Sequence, residues 1–421
     1  MITPRAALSR ILRCLEDLAP LPAERVALSE AVGRALAEEL RAGRALPPFD
    51  HSRMDGYALR AADVPRPGTR LPVAFESFAG DAPGRALPPG SCARIFTGAP
   101  VPLGADSVEM QEEVRRRGRV ARFLRAAEKG RFVRAAGSDV AAGSRAIAAG
   151  SLVDAGTVGL AAALGRTELW VHRRPRTGVL ATGSEIAPVD GPAAPGTIPD
   201  SNSHAIAAAA SEAGALPVVL PVARDDRASL RRALAAAQGL DALVTIGGVS
   251  VGDRDLVRPV LAEAGARIDF WRVAMHPGLP AAFGRIGRLP VFCLPGNPAS
   301  ALGAFEILAR PALRALQGLA GSGRLELPAH LSAPEEKPRH LTVYLPCELR
   351  QSAGTTWAVR LPGEHARPLS SLAGLGALAI LPAGVARLRR GAPVAVRVLG
   401  STALSVAVGR GGAAAARRPA R

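Results

Sequence analysis

The stretch Gly247-Gly-Val-Ser-Val-Gly-Asp-Arg-Asp255 has the residue types of an anion cradle, set between two elements that would position it. The apolar run 241–246 before it reads as a buried strand, and 256–264 after it has the apolar spacing of a helix. Glycines let the backbone approach a ligand closely, while first-turn N–H groups and the helix dipole favour negative charge. Aspartates are out of place beside an anion unless a cation sits between them. Gly247, Gly248, Ser250, Gly252, Asp253 and Asp255 therefore suggest a metal-assisted phosphate or oxyanion site, although Asp253 alone could be a helix cap. The spacing is neither G-x-G-x-x-G nor a Walker A loop, so neither a dinucleotide nor a simple NTP site follows.

Three further loops share that setting. Thr182-Gly183-Ser184-Glu185 follows a candidate strand at 177–181; taken alone it is an ordinary turn. Asp200-Ser201-Asn202 precedes a helix, where an N-cap is the simpler purpose. Pro295-Gly296-Asn297-Pro298 follows a strand at 290–294 and is either a turn with proline near N1 or a backbone cradle. The strands expected at 177–181, 216–220, 242–246 and 290–294 alternate with helices at 203–213, 228–237, 255–264 and 298–309. That alternation implies a mostly parallel sheet with helices on both faces. Ligands of such sheets lie outside the carboxyl ends of the strands, at the switch in strand order. All four loops fall at that end. Elsewhere, His51 and Asp55 stand in 49–58, Thr97 and Gly98 in 95–106, and Arg272 and His276 beside Pro277-Gly278. Asp55-Gly56 alone would be a hairpin turn, and the two basic residues are anion contacts or loop charges.

The remaining chain sorts into smaller units. Residues 4–46 read as two helices, the second carrying Val32, Leu36 and Leu40, and 138–172 return to helix around Val158–Leu164. Segments 1–46 and 138–172 are expected to form one discontinuous helical linker domain. Residues 47–137 read as a β-rich domain, 173–318 as the α/β domain, 325–402 as a small barrel or sandwich, and 409–421 as a disordered tail. The fold class is thus multi-domain α/β and β. The formal charge of +17 comes almost wholly from arginine, since Lys129 and Lys337 are the two lysines. Codon bias accounts for arginine identity; an electropositive surface drawing in a polyanionic substrate accounts for part of the sign. Aromatics are 4% of the chain and the basic residues are dispersed, so nucleic-acid binding is not expected. Four scattered cysteines suggest neither a disulfide scaffold nor a zinc site. No signal-peptide core and no membrane-spanning run is read, and a cytoplasmic protein is expected.

With these residues in view, the chain resembles the molybdopterin molybdotransferase (MoeA) family, whose eukaryotic relative is the gephyrin E domain. The likeness runs from Pro47 into the β-like C-terminal region. Its markers are Pro48-Phe49 with Met54-Asp-Gly-Tyr-Ala58, Thr97-Gly-Ala-Pro100 with Gly104-Ala-Asp106, and Gly137-Ser-Asp139; then Thr182-Gly183 with Glu185, Asp200-Ser-Asn202, Gly247–Gly252 with Asp255, and Leu294–Pro298. The resemblance implies a C-terminal β-barrel and an elongated homodimer, with the site between the α/β domain of one subunit and the β-rich domain II of the other. It implies insertion of molybdate into adenylylated molybdopterin, with Mg²⁺ and release of AMP. The partners implied are an upstream molybdopterin adenylyltransferase and recipient molybdoenzymes. The family's acidic residues map onto Asp55, Asp139, Glu185, Asp225 and Asp255. Mg²⁺ prefers a few carboxylates plus phosphate oxygens, so Glu185, Asp225 and Asp255 are expected as metal ligands or as groups holding them. Thr97, Gly98, Thr182, Gly183, Ser201, Asn202, the 247–253 loop, His276, Pro277, Gly278 and Pro295 to Pro298 are the expected substrate contacts. The chain departs from the family at 276–280, where His276-Pro-Gly-Leu-Pro280 replaces a Lys-Pro-Gly-Lys-Pro turn, and at Ser184, which replaces an acid. A divergent paralogue that carries molybdopterin or its adenylate with little turnover is the alternative this departure raises.

Overall fold

Residues 242–246 are all buried and apolar apart from Thr245, and such a run is stable only with sheet on both edges and helix on both faces. The computed structural model supplies both. It describes residues 1–191, 194–249, 256–319, 323–361, 373 and 375–400. The central sheet has the order Leu216–Val219, Arg176–Ala181, Ala242–Ile246, Leu289–Leu294, Ala282–Ile286, Ala266–Trp271. The first four strands are parallel and the last two antiparallel. Alternate side chains feed different cores. Val179, Val244 and Phe292 pack with Ser201–Glu212 and Pro4–Cys14 residues such as Ile206 and Ile11, whereas Leu180, Leu243 and Val291 pack with Leu230, Val257 and Leu261. From Arg176–Ala181 the chain moves first to one side, to Leu216–Val219, and then to the other, to Ala242–Ile246. The switch in strand order therefore falls between the strands that end at Ala181 and Ile246.

The chain forms two compact units, residues 1–24 with 172–421 and residues 25–171. The helix Pro4–Cys14 thus falls with the α/β sheet, because Ala7, Ile11 and Leu15 are buried in its core. The second helix expected before residue 46 does not form. Leu28–Ala31 makes one helical turn; Gly33 at φ 79° then ends it, and the Leu36 and Ala37 amides donate to Ser151 and Trp170 carbonyls. Leucines four apart fit a helix, but they equally suit an extended segment that buries every second residue. The helix expected near 158–164 spans Ala155–Ala163, with Asp154 as its N-cap.

In the first unit, Thr342–Ser352, Thr355–Arg360, Glu326–Leu331, Pro393–Val398 and Ala377–Leu381 pair in a ring, which closes between the first and last of these into a five-stranded barrel. The second unit carries a six-stranded sheet ordered Ser107–Met110, Gly56–Leu59, Cys92–Ile95, Arg70–Ser77, Val120–Phe123, Val114–Arg117. Asp55-Gly56 is therefore not a hairpin turn. Gly56 opens a strand, and a Cβ there would lie 2.0 Å from the Glu109 carbonyl oxygen, so only glycine permits this approach. Among the described residues, no helix is long and apolar enough to cross a membrane.

One edge of this sheet sets three like charges abreast. Arg70 faces Arg122, and Arg122 faces Arg115, all on the exposed face and none with an acidic partner among the described residues. Opposite charges across strands contribute about 0.2–1 kcal/mol per pair, and like charges cost a similar amount. Arg122→Glu should therefore raise the unfolding free energy of this unit by about 1 kcal/mol in a denaturant melt. A lower midpoint would mean that the row is already neutralised.

Candidate functional site

The loops at the carboxyl ends of the central strands close on a cleft of about 430 Å³. It is lined by Thr182, Gly183, Glu185, Ser201, Asn202 and Asp225, and by Gly247, Gly248, Pro295, Gly296 and Pro298. These lie around the strand-order switch. Asp200 and Pro280, which were not among the expected site residues, line it too.

Backbone geometry explains the glycines. Gly247 (φ 91°) donates its N–H to the Leu294 carbonyl, and a Cβ would lie 2.7 Å from the Thr182 carbonyl oxygen. Gly248 (φ 62°) would drive a Cβ to 2.3 Å from Val257 Cγ2. Left-handed backbone and crowding together leave no residue but glycine there. The loops are also tied to one another. The Thr182 N–H and hydroxyl both donate to the Ile246 carbonyl, at 2.9 and 3.2 Å. The Asn202 side-chain amide donates to the Gly296 carbonyl at 2.7 Å. Asp200 accepts from the Ser203 N–H and Asn297 from the Ser300 N–H, so both act as helix caps, as their positions suggest.

Besides Asp200, whose carboxylate is used as a helix cap, Glu185 and Asp225 are the carboxylates among the described residues that line this cleft. Asp225 and Ser184 bond reciprocally: the Ser184 N–H donates to Asp225 Oδ2 at 3.0 Å, and the Asp225 N–H to Ser184 Oγ at 3.1 Å. Ser184, a departure from the family pattern, thus orients an acid instead of supplying one. Its place between Gly183 and Glu185 was the only sign of this. Glu185 is exposed, and its own carbonyl accepts from the Ile198 N–H. No group of three or more potential metal ligands occurs among the described residues. Ser250, Gly252, Asp253 and Asp255 lie outside them. A pair of carboxylates still fits Mg²⁺, which keeps waters and takes one or two carboxylates plus substrate phosphate oxygens.

His276 and Pro277 face a different cavity, of about 630 Å³, where Asn297 joins barrel residues. Its cations are already engaged: Arg324 with Glu306, Arg360 with Glu335, and the Lys337 ammonium with the Leu341 carbonyl. Gly278 (φ 107°) packs tightly, since a Cβ would lie 2.7 Å from Met275 Cε. Leu279 is partly buried and packs on the barrel core, a cluster that includes Leu341 and Val343. Leu279→Lys should accordingly lower the unfolding free energy by about 1–2 kcal/mol. Wild-type stability in a urea titration would show that the barrel does not use this leucine.

Asp55, Asp139, Thr97 and Gly98 belong to the other unit. Asp55 Oδ1 accepts from both the Thr97 N–H and its hydroxyl, each at 2.8 Å, and these bonds hold its carboxyl below the usual range. Arg134 holds the exposed Asp139 carboxyl low in the same way, through hydrogen bonds to both oxygens. Gly98 (φ 82°) turns the chain directly after Thr97.

Comparison with known proteins divides the chain at nearly the same point after residue 165, although residues 2–24 fall with the N-terminal match. A model of the MoeA N-terminal region (domains I and II) matches residues 2–165, and one described as a probable molybdopterin binding domain matches 178–315. The chain is 38% identical over 381 residues to molybdopterin molybdenumtransferase 2 of Mycobacterium tuberculosis, covering 88% of this chain and 94% of that one. It is 34% identical over 385 residues to the molybdopterin molybdenumtransferase of a Nostoc species, with 89% and 88% covered. The crystal structure of a molybdopterin biosynthesis MoeA protein from Pyrococcus horikoshii superposes with a TM-score of 0.78 at 30% identity, over 94% of this chain and 99% of that one.

Proposed function

Because this chain belongs to the MoeA family, we propose that it is a molybdopterin molybdenumtransferase of molybdenum cofactor biosynthesis, inserting molybdate into adenylylated molybdopterin and releasing AMP. The observation that carries the reading is the single cleft in which glycine-lined strand ends meet Glu185 and Asp225 at the switch in strand order. The Gly247-Gly248 turn and the loop tied down by Asn202 receive the phosphorylated pterin. Glu185 and Asp225 would hold a Mg²⁺ ion, with Asp255 as a third acid, and the ion would supply positive charge to offset that of the phosphate. Ser184 keeps Asp225 aimed; Thr97 keeps Asp55 ionised, and Asp55, contributed by the other subunit together with Asp139, would order water or position the attacking group. A cytoplasmic homodimer is the working form, receiving substrate from an adenylyltransferase and serving recipient molybdoenzymes.

The test is direct. Purified protein is incubated with adenylylated molybdopterin, Mg²⁺ and molybdate, and AMP and active cofactor are measured. AMP release above a buffer blank is expected. Tight pterin binding without AMP release would favour the second reading, a carrier of molybdopterin or its adenylate. That reading draws on the 276–280 turn, where Leu279 packs into the barrel instead of offering a lysine.

A further inference from the structure

Phe78 and Phe96, in the unit of residues 25–171, form an aromatic stack that the fold itself does not require. Their rings are parallel to within 11° with centroids 4.8 Å apart, and Phe78 is 47% exposed. A phenylalanine pair that served only packing would bury both rings; this one leaves Phe78 nearly half exposed. The stack is held from both sides. The Arg94 guanidinium lies 4.6 Å from the Phe96 centroid, and it is fixed by the Gly56 carbonyl at 3.0 Å and Gln111 Oε1 at 2.6 Å. The Phe78 N–H donates to Asp81 Oδ2 at 2.8 Å within its own turn, and the Phe96 N–H donates to the Ser77 carbonyl, which ties the two segments together. Rigid rings cost little ordering entropy on binding.

Next along the chain is Thr97, whose two hydrogen bonds both land on Asp55 Oδ1. The other carboxylate oxygen keeps its lone pairs for further donors. An exposed aromatic ring, stacked on the residue that precedes the partner of an ionised acceptor, suits a ring whose edge carries N–H donors. We propose that Phe78, backed by Phe96, is the stacking platform for a heteroaromatic ring of the substrate, with Asp55 accepting from that ring's edge. The inference rests on the transferase reading, whose substrate holds two such rings, the pterin and the adenine.

Stacking of a base on an aromatic side chain is worth about 1–3 kcal/mol, or roughly fivefold to a hundredfold in affinity. In the full-length protein, Phe78→Ala should weaken binding of either AMP or a free 6-substituted pterin about tenfold in calorimetric titration. In the AMP-release assay it should raise KM far more than it lowers kcat. Phe78→Trp should restore affinity, and its added indole emission should be quenched by the ring that stacks and not by the other. Wild-type affinity of Phe78→Ala for both rings would overturn the platform. So would an effect confined to subunit association, which would make the stack a protein contact. A wild-type protein that binds the ring but releases no AMP would defeat the transferase reading and leave the platform standing.

Discussion

Arg131→Met is expected to destabilise the unit of residues 25–171 by about 3–5 kcal/mol, enough to move a thermal midpoint by many degrees. Arg131 sits between two acids. It bonds Glu109, whose side chain is 1% exposed, and Glu113 at 2.7 Å, while Arg125 also reaches Glu113. Burial pushes the Glu109 carboxyl up even with Arg131 beside it, whereas the Arg131 hydrogen bond pulls Glu113 down. Methionine keeps much of the aliphatic stem but loses the guanidinium, which lies over the Phe132 ring, and leaves Glu109 as a buried charge without its cation. Removing the acid as well, in Arg131→Met with Glu109→Leu, should recover part of the loss, because the unpaired charge is what costs most. The pH dependence carries a sign. In the single variant the folded Glu109 pKa rises further above its unfolded value, so stability is lost as pH rises and regained as it falls. The deficit should therefore shrink from pH 7.5 to pH 5.5. A deficit that grows on acidification would show that Glu109 is not the group responsible. The network also supports the Asp55 loop, since Glu109 lies on the strand paired with Gly56–Leu59 and the Gln111 N–H donates to the Asp55 carbonyl.

None of this network was legible in the sequence, and the reason is physical. Glu109 and Arg131 meet only because the loop carrying Arg131 folds back along the strand Ser107–Met110, and no local period records that. What was legible were runs whose burial is complete. Ala242–Ile246 and Leu289–Leu294 sit in the middle of a sheet and are apolar apart from Thr245, with glycine or proline marking where they stop. Ala266–Trp271 and Ala282–Ile286 escaped notice because they are the antiparallel flank, and Arg267, Asp269 and Arg285 interrupt their apolar pattern. The strand-end cleft followed from topology: once four strands alternate with helices, their carboxyl ends share a rim, and Thr182, Gly183, Glu185, Gly247, Gly248 and Gly296 had to lie near it. The turn at 276–280 shows the limit of that logic. Pro280 reaches the cleft while His276 and Pro277 face another cavity, a division that depends on where the barrel docks.

Glu185→Gln is expected to lower AMP release by about 100- to 1000-fold at fixed Mg²⁺, the loss of one charged group at a site where charge develops. The substitution keeps shape and removes charge, and the loop geometry makes it a clean probe. Glu185 is exposed, so the folded state should lose less than about 0.5 kcal/mol. Gly183 lies beside it at φ 144°; a Cβ there would fall 2.7 Å from Glu185 Oε2, so the carboxylate folds back over its own loop. Asp225→Asn is a less direct test, because Asp225 also accepts the Ser184 N–H and its loss would shift the loop. Both variants should need more Mg²⁺ for half-maximal rate. If the two acids grip one ion, the double variant should be little worse than either single one, since the second substitution removes a partner already lost. Fully additive losses would mean that Glu185 and Asp225 act on different steps, and the shared dication would have to be given up.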